Sequence, residues 1–237
     1  MSAADPRAAR GASPRQLAFE FCPQPRFGDD DFLIAPSNAA AHELVTGWPN
    51  WPDPALVLVG PPGSGKSHLA TIWARQARAV LAPPHAIRAA GELGEFYGRN
   101  ILVDDADQID DEAGLFHLFN LAQESRASLL LAAENPPESW GLVLPDLRSR
   151  LRRAPIARIE PPTDDLMRAV LVKLFFDRQL AVEANVIDYI AARIDRSFEA
   201  ARAIVSALDS EALARGRGVS RALAAEIVAR LAHDEDL

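Results

Sequence analysis

"ALVLVGPPGSGKSHLA", residues 55–70, decides how the rest of the chain is read. Five apolar residues run without interruption into Gly60-Pro-Pro-Gly-Ser-Gly-Lys-Ser67, which fits G-x-x-x-x-G-K-[ST], and helical periodicity starts directly afterwards. Strand, glycine loop and helix in that order are what phosphate binding requires. Glycines let backbone N–H groups converge on phosphate oxygens, and the helix N-terminus adds positive potential. Lys66 then reaches the β/γ-phosphates and Ser67 offers its hydroxyl to Mg²⁺. A Gly/Ser turn would match by accident with a chance on the order of 10⁻³ or less. The chain has only two lysines, Lys66 and Lys173, and uses arginine nearly everywhere else. The nucleotide-contacting stretch is Gly60, Pro61, Pro62, Gly63, Ser64, Gly65, Lys66, Ser67 and His68. His68, already inside the helix, also reads as a packing or surface residue.

Upstream and downstream of this loop the chain divides into three zones. Residues 1–26 form an Ala/Pro/Arg-rich arm with little tendency to regular structure. From 27 to 160, apolar runs alternate with helical patterns: ALVLVG (55–60), NILVDDAD (100–107), SLLLAAE (128–134) and PIARIE (155–160). The three clearest runs are continuous, which suits strands buried on both faces of a parallel sheet, so the fold class is α/β with helices flanking a parallel sheet. Pro161 and Pro162 break the chain, Thr163 can cap a new helix, and residues 161–237 show only helical periodicity, as a small domain of about four helices.

"ILVDDAD" supplies the other half of the site. An apolar strand ending in Asp104 sets a carboxylate beside the Mg²⁺ held by the loop serine, and Asp105 can polarise an attacking water. Asp107, Asp110 and Asp111 are expected to be a solvated acidic turn.

Bulk properties limit the partners. A formal charge of −8 over 237 residues argues against a chain-wide electrostatic footprint for DNA. A single cysteine, Cys22, allows no internal disulfide, no apolar run approaches the ~20 residues that cross a bilayer, and the N-terminus lacks a signal-peptide core. These features together lead to the expectation of a cytoplasmic protein, without internal repeats and without membrane attachment.

With a P-loop, a strand ending in Asp-Asp and a helical region after the sheet, the chain resembles the AAA+ proteins, and more closely their DnaA/Hda branch. "FLIAPSNAAAHELV" (32–45) is similar to the adenine-side motif of that branch, which implies contacts from Phe32, Leu33 and Asn38. "AENPPESW" (133–140) looks like its sensor-1 turn, with Glu134 or Asn135 near the γ-phosphate, and "LPDLRSRL" (144–151) looks like its arginine-finger motif, which maps the finger onto Arg150, acting in trans. The matches cover residues 27 to about 213; the P-loop alone is generic, whereas the ordered set is specific. Initiators of the branch carry a further helix-turn-helix domain that reads duplex DNA, and longer segments before the Asp-Asp strand that grip single strands. The chain is expected to lack both, hence no direct sequence-specific DNA binding, and so resembles the Hda-like members. The resemblance implies ATP or ADP with Mg²⁺ as ligand, DnaA as partner, and leaves self-association open.

It also gives a reading for "RQLAFEF" (15–21). Hda-like proteins bind the replicative sliding clamp, the β subunit of DNA polymerase III, through an arm motif that begins Gln-Leu and ends in apolar residues. Gln16 and Leu17 fit the start, and Phe19 and Phe21 the apolar end, with Glu20 where a small residue or proline is common. A disordered arm that buries alternate side chains on binding is a physically sound mode. The alternative is a segment packed on the sheet domain.

One position departs from the family. Aligning "IDRSFEAARAIVSALD" (194–209) on the branch's sensor-2 helix puts Glu199 where an arginine faces the phosphates. A carboxylate there repels them. Arg196 and Arg202, each three residues away, are the substitutes, with Arg202 counted among the nucleotide-contacting residues. Weak or absent ATP hydrolysis is therefore expected. Arg148, Arg152 and Arg153 read as a solvated helix face, Trp48 and Trp51 as anchors of a Pro-rich loop, and Cys22 receives no role. Competing functions are a clamp-bound adaptor that completes the ATP site of DnaA, a helicase loader or DNA-remodelling motor, and a DNA-binding initiator paralogue.

Overall fold

The continuous apolar runs become strands because both of their faces are covered. The computed structural model describes residues 32–89 and 93–234. Strands β1 (Ala55–Val59), β3 (Ile101–Val103) and β4 (Leu129–Ala133) are buried at every position. On β1, Ala55, Val57 and Val59 face a core shared with Leu115, Leu118 and Leu147, whereas Leu56 and Leu58 face Val45, Leu69 and Trp73. With apolar layers on both sides, no period-two alternation can appear in the sequence. Strands β2 (Val80–Leu81) and β5 (Ile156–Arg158) complete a five-stranded sheet of order β2-β3-β4-β1-β5, every neighbouring pair parallel. The register Ala55↔Leu129 through Val59↔Ala133 seats β4 between the P-loop strand and the Asp-Asp strand. All three strands therefore end at one edge of the sheet.

Helices α1 (Ala39–Thr46) and α2 (Lys66–Ala77) cover one face, and α3 (Glu112–Ser125) and α4 (Pro145–Arg153) the other. Trp51 stacks on Trp73 with ring centroids 5.2 Å apart and donates its Nε1–H to Leu44 O at 2.9 Å. Trp48 Nε1–H reaches Ser128 Oγ at 2.9 Å, so both indoles anchor the loop between α1 and β1. The connection from α2 to β3 holds only β2 and two short 3₁₀ turns, Pro84–Ala86 and Leu93–Phe96, among the described residues.

After Pro161-Pro162, the Thr163 hydroxyl accepts from Leu166 N–H at 3.3 Å and starts α5 (Asp164–Asp177). Helices α6 (Ala184–Ala191), α7 (Phe198–Arg215) and α8 (Arg221–Asp234) follow. They enclose a core of their own, built from Leu171, Phe175, Ile190, Ile204, Leu208 and Ile227 among others. No helix among the described residues is long and apolar enough to cross a membrane.

Candidate nucleotide-binding site

The loop from Gly60 to Gly65 turns out of the C-terminal end of β1 and into α2. Gly63 and Gly65 sit at φ +65° and +99°, a region that side-chain-bearing residues avoid. No side chain caps α2, so its first-turn N–H groups stay directed into the loop. Lys66, the first helical residue, is buried, and its Nζ donates to Pro61 O at 3.0 Å. The Ser64 hydroxyl is buried beneath the loop without a hydrogen-bond partner. Donors without matching acceptors, a helix N-terminus and a buried ammonium suit a polyanion, and nucleotide phosphates fit that chemistry. An open cleft of about 330 Å³ adjoins the loop, lined by Pro61, Pro62, Glu134, Asn135, Arg158 and Glu160, among others.

The sequence-derived residues assemble around this loop. Asp104 and Asp105 follow β3, and Glu134 and Asn135 follow β4, so all four stand at the P-loop edge of the sheet. Asp105 adopts a left-handed conformation (φ +55°). Although Asp105 is exposed, partial loss of its hydration first, then the charges of Asp104 and Asp107, push its carboxyl above the ordinary value, with Lys66 opposing and Glu134 raising it. Phe32 is buried beside Gly65, stacked on His42 at 5.6 Å and edge-on to His68 at 5.3 Å. His68 thus packs on the aromatic side of the loop. Asn38 is buried and shapes the preceding turn: its Oδ1 accepts from Ala35 N–H at 2.8 Å and its Nδ2 donates to Leu33 O at 3.0 Å. Ser67 is exposed beside the loop. Among the described residues, no cluster of three or more His, Cys, Asp or Glu is arranged to hold a metal ion unaided.

The acidic turn after β3 is not merely solvated, as its composition leads one to expect. Asp107 Oδ2 accepts from the backbone N–H of both Glu134 (3.1 Å) and Asn135 (3.2 Å), tying the β3 turn to the β4 turn. Asp111 caps α3 by accepting from Gly114 N–H (2.9 Å) and also accepts from Ala89 N–H (2.9 Å). The Ala89 bond first, then the Gly114 bond, hold its carboxyl below the ordinary range. Of Asp107, Asp110 and Asp111, Asp110 alone is a solvated carboxylate, with Arg88 at 3.9 Å.

The helical region meets the loop at the start of α7. Phe198 N–H donates to Gly63 O at 2.8 Å, and the Phe198 ring lies over Gly65. Glu199 follows, exposed in the first turn of α7, where a negative charge suits the helix dipole. Arg196 pairs with Asp164 at 2.9 Å. Arg202 is exposed and has no ion pair among the described residues.

Arg150 is not part of this assembly. It extends from α4 to the last turns of α3, donating to Gln123 Oε1 (2.8 Å) and Asn120 Oδ1 (2.7 Å), with its guanidinium 5.0 Å from the Phe116 ring centroid. The cleft it lines also contains Ala55 and Leu129, the first residues of β1 and β4. A five-residue strand at ~3.3 Å per residue separates that edge from the P-loop by about 13 Å. Gln16, Leu17, Phe19 and Phe21 lie outside the described residues.

Comparison with known proteins agrees with this layout. The chain is 26% identical over 215 residues to the chromosomal replication initiator protein DnaA of Cutibacterium acnes, spanning 78% of this chain and 43% of that protein. The chain is homologous to DnaA. Its fold is that of the AAA+ P-loop proteins: domain III of Thermotoga maritima DnaA superposes with a TM-score of 0.71 at 20% identity, covering 86% of this chain and 95% of that one. The AMPPCP-bound DnaA of Aquifex aeolicus gives 0.66 at 19% identity, covering 77% and 64%. No family model matches the chain. The chain spans about half the length of the curated DnaA relatives that it matches.

Proposed function

We propose that this DnaA-related chain is a nucleotide-binding AAA+ adaptor that binds the replicative sliding clamp and promotes ATP hydrolysis by DnaA, restraining re-initiation of replication. Residues 1–26 act as the clamp-binding arm through Gln16, Leu17, Phe19 and Phe21, 27–160 as the nucleotide-binding domain and 161–237 as its helical lid. The observation that carries the reading is the position of Arg150. A half-buried guanidinium at the sheet edge opposite the P-loop, about 13 Å away by strand length, lines a cleft that contains no residue of its own loop. A cation so placed serves a neighbour's phosphates, and such fingers are worth ~10³-fold or more in rate.

The chain's own nucleotide, ATP or ADP, is held by the P-loop and Phe32, as the AMPPCP bound to the Aquifex protein supports. Ser67 and Asp104 supply Mg²⁺ ligands to add to phosphate oxygens, since the described residues offer no self-sufficient cluster. Own turnover is weak, because Glu199 stands at the start of α7 beside the loop-contacting Phe198 and Arg196 is paired with Asp164. Arg202 is the lid cation left for the phosphates.

The test is ATP hydrolysis by DnaA in the presence of clamp. Wild type should stimulate it, Arg150→Ala should not while keeping its own nucleotide affinity, and deletion of residues 15–21 should abolish clamp binding. Weakened nucleotide binding by Arg150→Ala would refute the trans role.

A further inference from the structure

The surroundings of Arg150 differ from those of the paired arginines in the helical region. Arg168 pairs with Asp165 and Asp188, Arg178 with Asp209, and Arg215 with Glu211 and Glu226. Arg150, in a chain with 33 acidic residues, has no ion pair among the described residues. Asp53 lines the same cleft, but its Oδ1 accepts from Ala55 N–H at 3.0 Å. The contacts of the Arg150 guanidinium are two amide oxygens and a ring face, all from α3. Phe116, Asn120 and Gln123 follow one another at i, i+4 and i+7, so α3 presents them along one stripe.

Those choices have a chemical consequence. A carboxylate in place of either amide would form a charge-assisted pair and compete with any incoming anion. An amide oxygen fixes the direction of a guanidinium N–H and leaves the positive charge uncancelled, and the ring face adds a weak attraction of the same kind. Two of the five guanidinium N–H groups are engaged, and three remain for a ligand.

We propose that Phe116, Asn120 and Gln123 form a neutral seat that orients Arg150 while keeping its charge available, which makes Asn120 and Gln123 positioning residues toward a phosphoryl group held by another protein. The inference rests on the trans-acting reading of Arg150. The seat supplies orientation and withholds neutralisation, and the two can be separated by experiment. Asn120→Asp and Gln123→Glu keep an oxygen acceptor at each position but place a carboxylate against the guanidinium.

Full-length chain carrying Asn120→Asp, Gln123→Glu or both is assayed with DnaA, ATP and clamp. Stimulated hydrolysis should fall at least tenfold, while the melting temperature holds or rises and complex formation with DnaA is unchanged. A merely structural seat predicts no loss, because the new ion pair holds Arg150 at least as firmly. Gln123 is exposed, so Gln123→Glu alone provides the test if a change at Asn120 prevents folding. Wild-type stimulation by the acidic variants, alongside loss in Arg150→Ala, overturns the seat and leaves the finger standing. Wild-type stimulation by Arg150→Ala overturns the finger itself.

Discussion

Replacing Gly63 by alanine adds one methyl group where the P-loop meets the start of α7. A Cβ built there lies 2.5 Å from Ser197 Cβ, far inside the ~3.5–4.0 Å of a favourable carbon–carbon contact. The start of α7 must therefore retreat by about 1 Å or more, breaking the Phe198 N–H···O=C Gly63 bond of 2.8 Å, at a net cost of ~0.5–1.5 kcal/mol. Alanine at φ +65° adds ~1–2 kcal/mol of backbone strain. Gly98 isolates that second contribution, since it has φ +72° and a methyl group added there would meet nothing within 4 Å. Gly63→Ala should exceed Gly98→Ala by about 1–2 kcal/mol once lost Phe198 packing on Gly65 is included. At ~2–4 °C per kcal/mol for a chain of this size, the excess in melting temperature is roughly 2–8 °C. Thermal and urea unfolding of the two variants side by side measure it. Equal destabilisation would refute the contact between α7 and the loop.

Lys66→Ala should abolish adenine-nucleotide binding: ligand at 100 times Kd stabilises wild type by ~2.7 kcal/mol, and the variant should show no melting shift with Mg·ATP or Mg·ADP. Asp107→Ala removes the shared acceptor of Glu134 and Asn135 N–H, so calorimetric nucleotide affinity should fall several-fold, whereas Asp107→Asn, still able to accept, should retain most of it; equal loss in both would point to charge instead of turn geometry. The folded-state pKa of Asp111 is depressed, so its contribution to stability is complete above the unfolded value of ~3.9 and is lost as pH falls through the lower folded value. The stability gap between wild type and Asp111→Asn should then be largest near neutral pH and close on acidification below about 4; a gap that widens with acid contradicts the assignment.

How much could be read without coordinates followed the range of the interactions involved. β1, β3 and β4 are local signals, because burial on both faces writes itself as an unbroken apolar run, and the P-loop is a contiguous motif. β2 has two residues, and Leu81 is 63% exposed, so no pattern marks it. Asp107 was indistinguishable from its solvated neighbour Asp110, since its partners lie 27 and 28 residues away across the sheet. The seat of Arg150 depends on packing α4 against α3, and the Phe198–Gly63 bond on how the helical region meets the loop. Asn120 and Gln123 stand in a helix with no motif of their own. The reading of Glu199 as a departure rests on a family pattern alone, since its place in the first turn of α7 is ordinary for an acidic residue.

The sheet has a direction, and that direction governs assembly. The P-loop and the turns carrying Asp104, Asp105, Glu134 and Asn135 gather where β1, β3 and β4 end, while Arg150 lines a cleft where β1 and β4 begin. A two-fold contact pairs residues reciprocally within one shared surface, whereas a contact that joins a single Arg150 cleft to a single P-loop edge brings two different patches together. If Arg150 serves a neighbour's P-loop through one such contact per pair, the association is heterologous, head to tail, with a donor end and an acceptor end. Each added molecule consumes one end and exposes its own other end. Growth by this contact gives a ring or an open filament according to the rotation per step, and a chain whose acceptor end is defective terminates the series.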